Sequence, residues 1–418
     1  MIRSLNHPEQ FDFSRLDRRS FLRNTVAGLP FLLASSNLIL GRQQQHESFL
    51  SRLGKDSRMI VHNSRPGVLE TPLQLLRTQR LTPKTLLFVR NNQIFSGALS
   101  SESMDLRPWK LELTGLIGGT RTVRGEDLLR LPSEEIEMVL QCSGTGRSYY
   151  STIAKTRGTQ WTRGGMGNVR WRGVPVRTLL DSLQLAIEKP VRFVAAEGKD
   201  EPLSPDGADF EHSLPIEDFL ERALLAYELN GEPIPAIHGG PLRLVVPGFY
   251  GTMQIKWLTR LRFEQSESTN RYHKSLYRTF NDPIPPGTSP TSTFENTSPT
   301  WNQRLKSIVW EPMEGQDVRS GKTRLAGVAW NDGRQSIQAV EVSLDEGRTW
   351  QKAELQKPES QFAWYHWNLY ADISRQVHEV WVRARDTGNH TQPLDGSAHW
   401  NPSGYEWHAV DRVQINII

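Results

Sequence analysis

The residue most suited to chemistry in this chain is a thiol. Cys142, in VLQCSGTGRSYY (139–150), is the single cysteine among 418 residues. An apolar run from Ile136 to Leu140 leads into it, and a glycine- and hydroxyl-rich turn follows, with Arg147 close behind. Backbone N–H groups converging in such a turn, together with a nearby arginine, favour thiolate over thiol. A lone cysteine also commonly packs as a small buried hydrophobe. Two functional alternatives stand beside that one. The first is a nucleophile paired with a histidine, although no thiol-hydrolase signature surrounds it. The second is a single-thiolate ligand for a transition metal held mainly by something other than protein.

Positioning such a thiol requires a scaffold of strands and shaped loops. TLLFVRNN (85–92) and WKLELTGL (109–116) read as strands, and RFVAAEG (192–198) as another. RGEDLLRLP reads as a short helix ended by Pro132, and PVRTLLDSLQL as a second, with Leu179, Leu180 and Leu183 at helical spacing. In ALLAYELNGEPIP the pair Asn230-Gly231 predicts a hairpin turn, and LRLVVPGFYGTMQIKWLTRLRF continues in strands. This mixture predicts an α+β fold rather than a regular βαβ alternation. Residues 281–303, rich in Pro, Ser and Thr, read as a domain boundary. Beyond them, short strands separated by turns at Asn331-Asp332-Gly333 and Asp345-Glu346-Gly347 predict a β-sandwich.

Composition narrows the function classes. A chain of this length exceeds one ordinary core and predicts two domains plus an appendage. The net charge of +4, from 50 basic and 46 acidic residues, is too small and too mixed to mark a nucleic-acid surface. One cysteine excludes an internal disulfide. Near the N-terminus, Arg18-Arg19 directly precede Ser20-Phe21-Leu22 and a modestly apolar stretch over 26–40. That stretch is shorter than the roughly 20 residues a membrane-spanning helix needs. It reads as a twin-arginine export signal or as a short amphipathic helix. Export by that route carries folded proteins to the periplasm, which suits a cofactor inserted beforehand.

FVRNN (88–92), QCSG (141–144), AYELNGEPIPAIHGGPLRLVVPG (226–248) and IKWL (255–258) occur in this order. Together they resemble the sulfite oxidase family of molybdenum enzymes. The resemblance runs from about Leu86 to the C-terminus, and VEVSLDEGRTWQKAEL (340–355) resembles the family's dimerisation domain. It implies a mixed α+β molybdopterin-binding domain over 60–285, an immunoglobulin-like β-sandwich dimerisation domain over 300–418, and a signal and linker over 1–45. It also implies a homodimer carrying Mo-molybdopterin, with two dithiolene sulfurs from the pterin and one sulfur from Cys142. Under this resemblance Phe88, Val89, Arg90, Asn91 and Asn92 line the cofactor. So do His238 and Arg243, in the pattern His-Gly-x-Pro-x-Arg, and the stretch Gln254, Ile255 and Lys256. Arg243 and Lys256 are chemically suited to the pterin's phosphate. An aspartate of the family finds three candidates here, Asp200, Asp206 and Asp209.

The resemblance further assigns Tyr227 to the family tyrosine near the metal's oxo group, with Arg90 beside it, and Arg90, Arg147 and His366 to substrate. The expected reaction is two-electron oxidation of sulfite or a related sulfur compound at a Mo-oxo centre. Electrons then pass to an external acceptor such as a c-type cytochrome, since the chain carries no C-x-x-C-H haem motif. Three positions depart from the sulfite-oxidising pattern. Asn92 replaces a histidine, Gly146 replaces an arginine, and His366 replaces an arginine between aromatics. Fewer guanidinium groups favour an altered substrate, such as that of a sulfane dehydrogenase-like subunit or of a reductase in the same family.

Overall fold

Strand Glu134–Gln141 passes from an exposed start to four fully buried residues, so its last turn of chain carries Cys142 into the interior. The computed structural model describes residues 47–77, 79–202 and 207–418. The expected export signal and Asp206 lie outside the described residues. Strand Glu134–Gln141 pairs antiparallel along its whole length with Met166–Pro175, which pairs in turn with Leu224–Leu229. Leu224–Leu229 also carries Arg243–Val245 and the short strand Glu232–Pro233. The turn between Leu224–Leu229 and Glu232–Pro233 has Asn230 at φ 54° and Gly231 at φ 82°. Two consecutive positive φ values are what a two-residue hairpin loop requires, as the Asn-Gly pair predicts.

A second five-stranded sheet has the order Arg121–Arg124, Lys110–Thr114, Leu258–Glu264, Phe193–Gly198, Glu211–Pro215. Only Lys110–Thr114 and Leu258–Glu264 run parallel. Leu113, Val194, Leu214 and Leu261 of this sheet share one core with Leu225, Leu244 and Val246. Each such fully buried side chain contributes about 1.5–3 kcal/mol relative to exposure. The helices are short: Gly125–Leu128, Arg147–Ile153, Val176–Ser182 and Ile216–Arg222.

The C-terminal part is a sandwich. One sheet runs Lys306–Glu311, Gly321–Trp330, Tyr365–Ile373, Glu354–Gln356, and the other runs Gln316–Val318, Asp411–Ile417, Glu379–Asp386, Ile337–Ser343, Gln351–Lys352. Period-two alternation drives it. In Asp411–Ile417 the side chains of Val413 and Ile415 are buried while Arg412, Gln414 and Asn416 are exposed, as one core-facing side demands. Val309, Leu325, Val340, Trp367 and Val382 fill the space between the sheets.

Two segments differ from their sequence reading. TLLFVRNN is a strand only at Val89–Arg90, because Leu86 and Leu87 turn back to the Pro83 carbonyl. The Pro/Ser/Thr-rich stretch contains strand Thr297–Pro299, which pairs with Arg278–Phe280. The Arg278 guanidinium donates to the Thr297 hydroxyl at 2.9 Å and to its carbonyl at 2.8 Å, stitching that stretch to the first domain.

Candidate functional site

The Cys142 loop is held from behind by a buried carboxylate. Glu70 accepts from the backbone N–H groups of Thr162 and Gly164, each at 2.9 Å, and contacts the His62 ring at 2.7 Å. This fixes the segment whose Gly165 carbonyl accepts from the Cys142 N–H at 2.9 Å. Cys142 is itself buried, and the Gly144 N–H donates toward its Sγ at 3.4 Å. The sulfur is thus held by the backbone at a cavity wall, where it offers the one soft ligand a transition metal could take from this protein.

Gly146 follows, at φ +90°, and a Cβ there would lie 2.6 Å from Trp407 Cδ1. The Trp407 ring therefore occupies the space where the resemblance expects an arginine, and Tyr150 packs edge-on against the same ring at 4.8 Å. Gly146→Ala combines a left-handed backbone with overpacking, so we expect it to destabilise the chain by about 1–3 kcal/mol or more. Chemical denaturation of the cofactor-free protein, read as a lowered midpoint, measures this.

An inner cavity has Cys142 in its wall. Phe88, Arg90, Asn91 and Asn92 line one side, and His238, Arg243, Gln254 and Lys256 another. Val89 and Ile255 do not line it. Strand alternation sends Phe88 and Arg90 to one face and Val89 to the other, and Ile255 packs into the core between the sheets. Asp200 is the aspartate that lines the cavity, and burial pushes its carboxyl up to about 7.

The electrostatics of this cavity are lopsided. Arg243 is buried over the Trp171 ring at 5.1 Å and donates to the His238 carbonyl at 2.8 Å, while its Nε has no partner. The Lys256 ammonium donates to Asn91 Oδ1 at 2.6 Å and to the Ile237 carbonyl at 2.9 Å. Burial, then the neighbouring Arg243, Lys55 and Arg90, pulls Lys256 well below its usual range. Clustered cations with one carboxylate among them call for a polyanion. The buried Gln254 Oε1 also lacks a partner. Unpaired donors and acceptors in a cationic cavity beside a thiol fit a phosphate-bearing pterin whose dithiolene holds a metal, so the residues present match that cofactor.

An outer cavity of about 1550 Å³, counting its open mouth, meets the inner one at Arg90, Cys142 and Tyr277. Arg90 Nη2 donates to Asn92 Oδ1 at 2.6 Å and to the Tyr277 hydroxyl at 3.3 Å, and Nη1 donates to the Asn91 carbonyl. Tyr277 donates to Asn92 Oδ1 at 2.8 Å, so Asn92 braces this corner. Arg147 also lines the outer cavity. It donates to the Ser403 carbonyl at 2.6 Å and the Thr159 carbonyl at 2.7 Å, beneath the Tyr405 ring. Tyr405 reaches in from the C-terminal part and stacks on Tyr277, with ring centroids 5.2 Å apart.

Two sequence-based assignments are corrected by this geometry. Tyr227 lines neither cavity: it is half-buried on Leu224–Leu229 and packs against the core between the sheets. The tyrosine at the junction is Tyr277, held in the left-handed region at φ 54°. His366 lies elsewhere too. Its neighbours Tyr365 and Trp367 fill the sandwich core, so alternation turns His366 outward, to a cleft shared with Arg77, Trp310 and Arg324. Sequence reasoning missed Tyr277, Tyr405 and Lys55. None sits in a motif, and Tyr277 follows an unremarkable RYHKSL.

Comparison with known proteins agrees with this architecture. Residues 98–272 match the model of an oxidoreductase molybdopterin binding domain, and residues 297–417 match a Mo-co oxidoreductase dimerisation domain. The chain is 31% identical to sulfite oxidase of Gallus gallus over 364 residues, covering 83% of this chain and 76% of that one. It is also 31% identical to mitochondrial sulfite oxidase of Homo sapiens, over 85% of this chain and 65% of that protein. It thus spans slightly less than two thirds of the length of the mammalian relatives it matches. The crystal structure of the sulfane dehydrogenase SoxCD from Paracoccus pantotrophus superposes with a TM-score of 0.65 at 25% identity, covering 84% of this chain and 87% of that one. With the thiol, the cationic cavity and both domains accounted for, the chain belongs to the sulfite oxidase family of molybdopterin-dependent oxidoreductases.

Proposed function

We propose that this enzyme oxidises sulfite or a closely related sulfur compound and passes the electrons to an external acceptor such as a c-type cytochrome. The observation that carries the proposal is the meeting of two cavities at Cys142, one cationic, the other open and lined by Arg90, Arg147, Tyr277 and Tyr405. The bound cofactor supplies the two-electron chemistry. Within the protein, Cys142 anchors the metal, while Arg243, Lys256 and Arg90 offset cofactor charge. The Tyr277 hydroxyl lies at the cavity junction, and on substrate binding its single O–H turns from Asn92 Oδ1 to the oxygen-bearing substrate or product, where a hydrogen bond to developing negative charge is most effective. Export by the twin-arginine route places the reaction in the periplasm, and the C-terminal sandwich pairs two chains into a homodimer.

A second reading, a sulfane dehydrogenase-like or reductive activity on another substrate, has one observation in its favour. The guanidinium groups of Arg90 and Arg147 already donate five hydrogen bonds to protein oxygens, which leaves about half of their N–H groups for a doubly charged anion. The experiment is metal and pterin analysis of protein matured in a cofactor-competent host, followed by sulfite-dependent reduction of ferricyanide or cytochrome c. Sulfite turnover by molybdenum-loaded protein is the expected result. Loaded protein that leaves sulfite untouched would move the assignment to the second reading.

A further inference from the structure

Lys55 lies outside both stretches matched by the family models, and it makes an unusual contact. Leu50, Leu53 and Met59 bury their side chains, and the Asp56 N–H donates to the Thr85 carbonyl at 3.1 Å, docking this segment on the 83–87 turn. Between these anchors the Lys55 side chain runs inward. Its ammonium donates to the Lys84 carbonyl at 2.5 Å and to the Leu87 carbonyl at 2.9 Å, and lies 2.5 Å from His238 Nε2. The two carbonyls accept from the Lys55 nitrogen, whose remaining position faces the His238 ring nitrogen. A flipped ring would set C–H against the Lys55 nitrogen, so one ring orientation is selected.

We propose that Lys55 is a positioning residue of the cofactor site, fixing the ring orientation of His238 in the cavity wall and adding a fourth basic group to Arg90, Arg243 and Lys256. The inference rests on the molybdopterin reading of that cavity. None of these four cations forms an ion pair with a carboxylate among the described residues. Buried cations without partners are costly, and an anionic cofactor supplies the missing charge. The turned backbone at 84–87, which interrupts the expected strand, is what presents the two carbonyls to the ammonium. A histidine whose ring is oriented by a second residue holds its ligand more tightly than a free one, and loss of such a partner typically costs roughly 10–100-fold in affinity.

The test compares full-length wild type, Lys55→Met and Lys55→Arg, each matured in a cofactor-competent host. Molybdenum and pterin per chain, and their rate of loss on dialysis, are measured alongside the unfolding midpoint of the cofactor-free chains. We expect Lys55→Met to lose cofactor about 10–100-fold faster with an unchanged cofactor-free midpoint, and Lys55→Arg to recover most of the loss. Equal retention by Lys55→Met and a loaded wild type overturns the proposal alone. So does a lowered cofactor-free midpoint in Lys55→Met that Lys55→Arg fails to restore, since Lys55 would then serve the fold. A wild type lacking molybdenum overturns the cofactor reading and the proposal together.

Discussion

Cys142→Ser should retain much of its pterin and lose turnover by roughly 10³-fold or more, equivalent to about 4 kcal/mol of transition-state stabilisation. The division follows from the geometry. The cationic wall formed by Arg243, Lys256 and Arg90 is untouched by the substitution, so the contacts suited to a phosphate and pterin survive. The serine hydroxyl, in contrast, offers no soft anionic ligand, and a transition metal favoured by thiolate loses its protein bond. Pterin content by fluorescence after oxidation, molybdenum by elemental analysis and sulfite-dependent acceptor reduction separate these effects. A serine variant that turns over near the wild-type rate would remove Cys142 from the metal. Serine is close in volume to cysteine, and the Cys142 backbone bond to Gly165 is independent of the side chain, so misfolding is not the expected cause of lost activity.

The second large effect separates two tyrosines. Tyr277→Phe should reduce kcat/KM by roughly 10²–10³-fold, the cost of removing a hydroxyl that joins Asn92 to Arg90 at the cavity junction and can turn its O–H to developing charge. Tyr227→Phe should leave kcat/KM within about twofold, since an exposed or half-buried substitution away from the site moves stability by only a few tenths of a kcal/mol. Tyr277 lines both cavities and bonds Asn92 and Arg90, while Tyr227 faces the core between the sheets. Steady-state kinetics on both variants decide the matter, and the reverse ranking would restore the assignment made from the sequence motif. The loss in Tyr277→Phe has a further component. Asn92 Oδ1 would keep only the Arg90 donor, freeing the guanidinium to shift.

Hydrophobic period, turn residues and local motifs made most of the scaffold legible. The alternation in Asp411–Ile417, the Asn230-Gly231 turn and the run of strands into Cys142 are local properties, set by which side chains must leave water and which backbone angles a residue tolerates. Most residues of the segments grouped by motif, Phe88 to Asn92 and His238 to Lys256, also meet at one cavity, although Val89–Arg90 and Arg243–Val245 belong to different sheets. Where the sequence reading chose between alternatives without a local signal, it chose wrongly: Tyr227 and His366 sit on strands whose alternation turns them away from Cys142.

The sequence by itself determined that a single thiol follows a buried strand and that glycine must accompany it, for these depend on one stretch of chain. Tertiary structure alone decided which distant groups complete the site. Tyr277 arrives through a left-handed residue after a short helix, Tyr405 through a loop of the sandwich, and Lys55 through a segment docked on the 83–87 turn. No periodicity records such meetings, because they are fixed by the packing of whole sheets and by which buried charges need partners. Gly146 illustrates both sources. Its glycine can be read from the chain, but the reason an arginine is excluded is a tryptophan 261 positions away, Trp407, whose ring fills the space.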